Sequence, residues 1–201
     1  MEPRATIDVS ELPHLTFGHK NLAWWATLSF MVIEGFSLLV AATVYLYLRK
    51  NFTTWPPAPT PLPDVLIPTV NAALLLGAIG VMVLADRAAH RRDLRGCVRW
   101  LAVEIVLAMV ILALRVGEFE ALNTRWDDHA YGSAAWLLLV LHSTLLLLEF
   151  LESAAFLAIL KIGPVEEKYF SDVSDAAFYQ YFLSLSNLVV YALLFLSPRW
   201  I

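Results

Sequence analysis

Hydrophobic positions along the chain gather into five long runs, residues 22–48, 66–85, 98–117, 133–160 and 176–196, with polar segments between them. A hydrocarbon core about 30 Å thick takes about 20 apolar residues at a rise of about 1.5 Å each, and every run meets that length. The pattern predicts an all-α integral membrane protein: five transmembrane helices in one membrane domain over 1–201, preceded by a polar tail at 1–21. Trp24 and Trp25 open the first run and Tyr45 and Tyr47 close it, where aromatic belts are expected. The acidic start lacks the basic-then-apolar pattern of a cleaved signal peptide, so the first span is expected to direct insertion.

The segments between the runs differ in kind. Residues 51–68, NFTTWPPAPTPLPDVLIP, are too rich in proline for a helix and predict an extended connector along the membrane surface, with Trp55 as its interfacial anchor. In the second span, Asn71, Gly77 and Gly80 suit close helix contact. Gly163-Pro164 marks the end of the fourth helix, and residues 161–175 are expected to form a loop. Residues 86–99, DRAAHRRDLRGCVR, carry five arginines, Arg87, Arg91, Arg92, Arg95 and Arg99. Basic residues in short loops favour the cytoplasmic side, which predicts an N-terminus inside and a C-terminus outside.

Composition narrows the class further. With 59% hydrophobic and 16% charged residues and a mean hydropathy of +0.65, the chain is too apolar for a soluble domain. A net charge of −4 spread over both polar sides argues for neither a nucleic acid nor an acidic substrate. The single cysteine, Cys97, excludes an intrachain disulfide and reads as structural.

Ionisable groups inside the spans are the candidates for chemistry, because a charge at mid-depth costs a few kcal/mol or more unless it is paired or neutral. Glu34 is the clearest, near the centre of the first span. It falls on one stripe with Ser37, Ala41 and Tyr45 and is expected to face a neighbouring helix. Arg115 and Glu118 lie three apart and can pair at the interface. His142, Glu149 and Glu152 share the fourth span, where interface packing outweighs ion transport. Gln180, Ser184, Asn187 and Tyr191 form a stripe read as interhelical hydrogen bonding. A haem with two axial histidines is not provided for, since only His142 lies within a span. No spacing of His, Glu and Asp marks a metal site, and no catalytic residue or phosphate-binding glycine loop is evident. The residues alone leave an accessory subunit or a small transporter.

The order of these features resembles the subunit III family of haem-copper (cytochrome c) oxidases, in its five-helix form. WWATLSFMVIEGF is similar to the family's aromatic, Phe, then intramembrane Glu pattern, which gives Glu34 the place of the characteristic buried carboxylate. IPTVNAALLLG resembles the Pro-x-x-Asn helix start at Pro68 and Asn71. LRVGEF is similar to the Gln-x-x-Glu helix end, with Glu118 conforming and Arg115 replacing Gln. AYGSAAWLLLVLH resembles the Tyr-Gly-Ser start followed by His, at Tyr131, Gly132, Ser133 and His142. The chain departs from the family at Val140 and Leu145, where glycine and a second histidine are usual. It departs again around Gln180, Ser184 and Asn187, where the last helix usually carries His and Asp; a branch associated with nitric oxide reductase shares the superfamily.

The resemblance implies a non-catalytic subunit of a respiratory complex in a bacterial inner membrane. Its role would be to pack on a catalytic haem-copper subunit, support proton uptake and stability, and hold phospholipid in a cleft between helices one to two and three to five. This chain would bind no haem or copper itself, and those cofactors would sit in the catalytic partner. Glu34, His142, Asn71, Glu118 and Arg115 are then the candidates for the lipid cleft or proton-related roles. Arg87, Arg91, Arg92 and Arg95 are the candidates for anionic lipid headgroups. A small proton- or solute-translocating protein using Glu34, Glu149 and Glu152 is the competing expectation.

Overall fold

A computed structural model describes residues 15–164 and 166–200. Arg4 and His14 of the polar tail lie outside the described residues. The chain forms five long helices: α1 Leu22–Lys50, α2 Leu66–His90, α3 Leu94–Ala121, α4 Ala130–Ile162 and α5 Lys168–Tyr191. One π turn, Ala192–Leu196, and one 3-10 turn, Ser197–Arg199, continue α5. By length and composition all five can cross a membrane.

Every helix extends past its apolar stretch at one end or both, and the longest extension is at the start of α5. It begins at Lys168, so residues 168–175, expected in a loop, are helical. The reason lies in their spacing. Phe170, Val173, Ala176 and Ala177 fall on one helical face and bury against Met82, Ala85, Ala88 and Ala89 of α2 and Cys97 and Leu101 of α3. Asp172 and Asp175 are carried into helical register by the same turns.

Helix α2 is the hub, packed mainly on α3 and α5, while α4 packs on α3 and α1, so α2 sides with α3–α5 and the division expected between helices one to two and three to five does not form. Alanines at 72, 78, 85, 88 and 89 give α2 a flat buried face, which permits close approach without a hydrophobic driving force between lipid-bathed helices. Gly77 and Gly80, expected at such contacts, instead face open space, with nothing within 4 Å of an added Cβ. Alanine already supplies the close approach on the other face.

Helix α1 leans on α4 and α5. Its buried side chains are Leu38, Ala41, Ala42 and Tyr45, all in the second half of the helix. Ser37 points away, exposed, and bonds the Ile33 carbonyl of its own helix at 3.0 Å. The inward stripe is therefore Glu34, Leu38, Ala41 and Tyr45.

The proline-rich connector is fastened to the protein and does not lie free on the surface. The Trp55 indole donates to the Tyr45 hydroxyl at 3.0 Å and packs edge-on against Tyr45 and Tyr131. Trp55 and the fully buried Tyr45 thus pack with the core at this end, while Tyr47 is exposed. The Asp64 amide donates to the Ala121 carbonyl at 2.7 Å, the Asn123 amide to the Leu62 carbonyl at 3.0 Å, and Thr60 bonds the His129 ring at 2.6 Å.

Candidate functional site

Two polar assemblies sit within the helices, and they differ in access. The first is sealed. Arg115 and Glu118 share the inner face of α3, and their side chains meet at 2.6 Å with about 3% exposure each. The pair is buried among helices. Arg115 also donates to Asn187 Oδ1 of α5 at 3.0 Å and contacts His142 Nδ1 of α4 at 3.2 Å. Asn71 of α2 donates to the other Glu118 oxygen at 2.6 Å.

The donor inventory fixes the histidine tautomer. Guanidinium has no acceptor, so Nδ1 of His142 accepts, and Nε2 carries the proton toward the Leu183 carbonyl at 3.0 Å and the Ser186 hydroxyl at 3.2 Å. One cation, one carboxylate and their neutral partners thus tie four helices together. Removing one member of such a buried pair strands the other, so the cluster braces the fold and leaves no group open to a substrate.

The second assembly is open. A cleft of about 380 Å³ separates the first half of α1 from α4 and α5. Ala23, Ala26, Phe30, Leu148 and Phe156 give it apolar walls, and Glu34, Glu149, Glu152, Asp172 and Asp175 all line it. The Tyr179 hydroxyl of α5 donates to Glu34 at 2.7 Å, which closes its deeper side. Asp175 is 5% exposed and Glu149 2%, and each keeps one carboxyl oxygen without a partner. No lysine, arginine or histidine is among the lining residues.

The residues singled out from the sequence therefore divide. Arg115, Glu118, Asn71 and His142 come together with Asn187, and Glu34 lies apart from them in the cleft. Gln180 donates to Ser184 at 3.3 Å, and Ser184 donates to the Leu75 carbonyl at 2.8 Å. Arg87, Arg91, Arg92 and Arg95 are exposed around the α2–α3 turn, and Arg92 pairs with Glu167 at 3.0 Å. Among the described residues, no three His, Cys, Asp or Glu side chains converge as metal ligands.

Sequence reasoning missed Tyr179, Asp172, Asp175 and Glu104 as site residues. Asp172 and Asp175 were hidden by the loop expectation. Glu104 was detectable, because it falls on the stripe Leu101, Glu104, Ile111, Arg115, Glu118 that α3 buries.

No protein-family model matches the chain. The chain is 27% identical over 129 residues to cytochrome c oxidase subunit 3 of a Synechocystis species, covering 64% of this chain and 55% of that protein. It is 22% identical over 186 residues to cytochrome c oxidase subunit 3 of Thermostichus vulcanus, covering 90% of each. The first match thus spans about half the length of its relative. The chain has distant homology to these subunits, and five membrane-length helices agree with that relationship.

Proposed function

We propose that this chain is a non-catalytic accessory subunit of a haem-copper oxidase in a bacterial inner membrane. It packs on the catalytic subunit, holds lipid in the cleft between α1, α4 and α5, and supports proton uptake and stability. The observation that carries this reading is the similarity to a cytochrome c oxidase subunit 3 over 90% of both chains. Geometry supports it. Arg115 and Glu118 of α3 pair with one another out of reach of solvent, and the cleft offers apolar walls for an acyl chain beside Glu34. Haem and copper belong, on this reading, to the partner. The exposed arginines 87, 91, 92 and 95 face the cytoplasm and suit anionic headgroups.

Gentle purification followed by identification of what accompanies the chain tests the proposal. A large partner with haem absorbance supports it, and a lone haem-free oligomer refutes it. Assay of that complex with oxygen and with nitric oxide separates an oxidase from a nitric oxide reductase, the branch that the departures at Val140, Leu145, Gln180 and Asn187 favour.

The five carboxylates of the cleft favour one second reading, a small proton- or solute-translocating protein. Flux into liposomes holding this chain alone would establish it.

A further inference from the structure

Two buried carboxyls outside the sealed cluster line one small void: Glu104 of α3 and Glu149 of α4. Each is 2% exposed, and each keeps its Oε2 without a hydrogen-bond partner. Both line a narrow void of about 10 Å³, with Gln180 of α5 also on its wall and Leu75, Ile111 and Leu146 among its apolar lining residues. That is about the room one water molecule takes, and Glu104, Glu149 and Gln180 supply the polar partners a water needs. Among the described residues, Glu149 alone lines both this void and the open cleft. Its Oε1 accepts from Ser153 at 3.3 Å, which holds the side chain at the partition.

Every titratable group around the pair is acidic or phenolic. Glu34 faces it from α1, Glu152 from α4, and Asp172, Asp175 and Tyr179 from α5. No lysine, arginine or histidine lines either space. Two neighbouring carboxylates in an apolar interior without a cation repel one another and lose solvation, a cost that a bound proton removes.

We propose that Glu104 and Glu149 form a proton-holding pair in the membrane interior, filled from the cleft through Glu149, with Glu104 reached only through Glu149. A hydronium ion in the cleft gives a proton to a Glu149 carboxylate oxygen, its own O–H bond breaking as the new one forms and leaving water. The proton then passes across the one-water void to a Glu104 oxygen as the Glu149 O–H bond breaks, and Glu149 is free to take another. Only protons move, so no oxidant or reductant enters. The site is independent of which complex, if any, the chain joins.

Infrared spectroscopy of the full chain in liposomes, with exchange from H₂O into D₂O at neutral pH, reads this directly. Wild type shows carboxylic acid C=O bands that shift on deuteration, and difference spectra against Glu104→Gln and Glu149→Gln assign one component to each residue. In Glu104→Gln the Glu149 component exchanges at the wild-type rate. In Glu149→Gln the Glu104 component persists but exchanges at least about tenfold more slowly, since its route is cut. Absence of both components, or equal exchange of Glu104 with and without Glu149, overturns the proposal. Circular dichroism checks the fold of each variant. Should Glu149→Gln fail to fold, Glu149→Asp, which keeps the acid but withdraws it by one methylene, is expected to slow Glu104 exchange, and an unchanged rate counts against the pair.

Discussion

The Tyr179 hydroxyl reaches from α5 to the Glu34 carboxyl of α1 at 2.7 Å, joining residues 145 positions apart at the deeper side of the cleft. It is the sole hydrogen-bond donor to Glu34 from another helix among the described residues. Tyr179→Phe is expected to lower the thermal stability of the purified chain by about 1–3 kcal/mol, the range for a hydrogen bond to an ionisable group. The aromatic ring remains to pack against Phe182, so a larger loss would mean that the ring and not the hydroxyl is the important contact.

Glu34→Ala addresses function at the same point. The complex is expected to assemble, while lipid counted by mass spectrometry falls and turnover decays faster over repeated cycles. Loss of the whole complex would instead mark Glu34 as a packing residue.

Arg115→Met leaves Glu118, Asn187 and His142 without their shared donor. Breaking a buried ion pair from one side costs about 3–5 kcal/mol, and a loss of that size is expected in thermal unfolding in detergent. Arg115→Met with Glu118→Met removes both charges and should recover much of it. A double variant as unstable as the single one would mean that the guanidinium acts through Asn187 and His142, not through the carboxylate.

Glycine substitutions give a paired test of the fold. An added Cβ at Gly132 would run into the Arg125 carbonyl and lie 3.0 Å from the Thr124 hydroxyl, whereas at Gly77 it meets nothing within 4 Å. Gly132→Ala should cost about 1–3 kcal/mol, as overpacking does. Gly77→Ala should be neutral or gain up to about 1 kcal/mol from helix propensity. Similar melting temperatures for the two would contradict the packing around the start of α4.

The sidedness proposed from the arginines is open to labelling. With Cys97, which is fully buried, replaced by Ser, a single cysteine at Thr53 or at Asp93 reports one side each. A membrane-impermeant maleimide is expected to reach position 53 in intact cells and position 93 only after permeabilisation. The reverse pattern would put the arginine-rich turn outside.

What could be read from the chain followed from its strongest signals. Five apolar runs give five helices, because in hydrocarbon a helix satisfies its own backbone. The spacing of three between Arg115 and Glu118 is enough to foresee their pairing. Depth was less legible: the polar stripe of α5 shows that Asn187 must find a partner, but only the tertiary arrangement brings Arg115, 72 residues earlier, to it. The fastening of the connector was not legible for a related reason. Proline excludes a helix at residues 56–63, yet nothing local says that Trp55 turns back onto Tyr45. Asp172 and Asp175 were overlooked because polar residues at the start of α5 mask its buried face of Phe170, Val173, Ala176 and Ala177.

Helix α1 is held unevenly along its length. All four of its buried side chains lie from Leu38 onward, ending at Tyr45 beneath Trp55 and Tyr131, while the half that borders the cleft has none. It is therefore built like a door hung at its Tyr45 end, latched part-way down by the Glu34–Tyr179 bond and again near its start by Trp24, which stacks on Phe178 of α5 with ring centroids 5.6 Å apart. Ala23 stands about 33 Å along the helix from Tyr45, so a swing of about 5° at the hinge displaces the cleft end by about 3 Å. The width of the opening is thereby tied to one helix's tilt, which α5 of the four-helix body restrains through Tyr179 and Phe178.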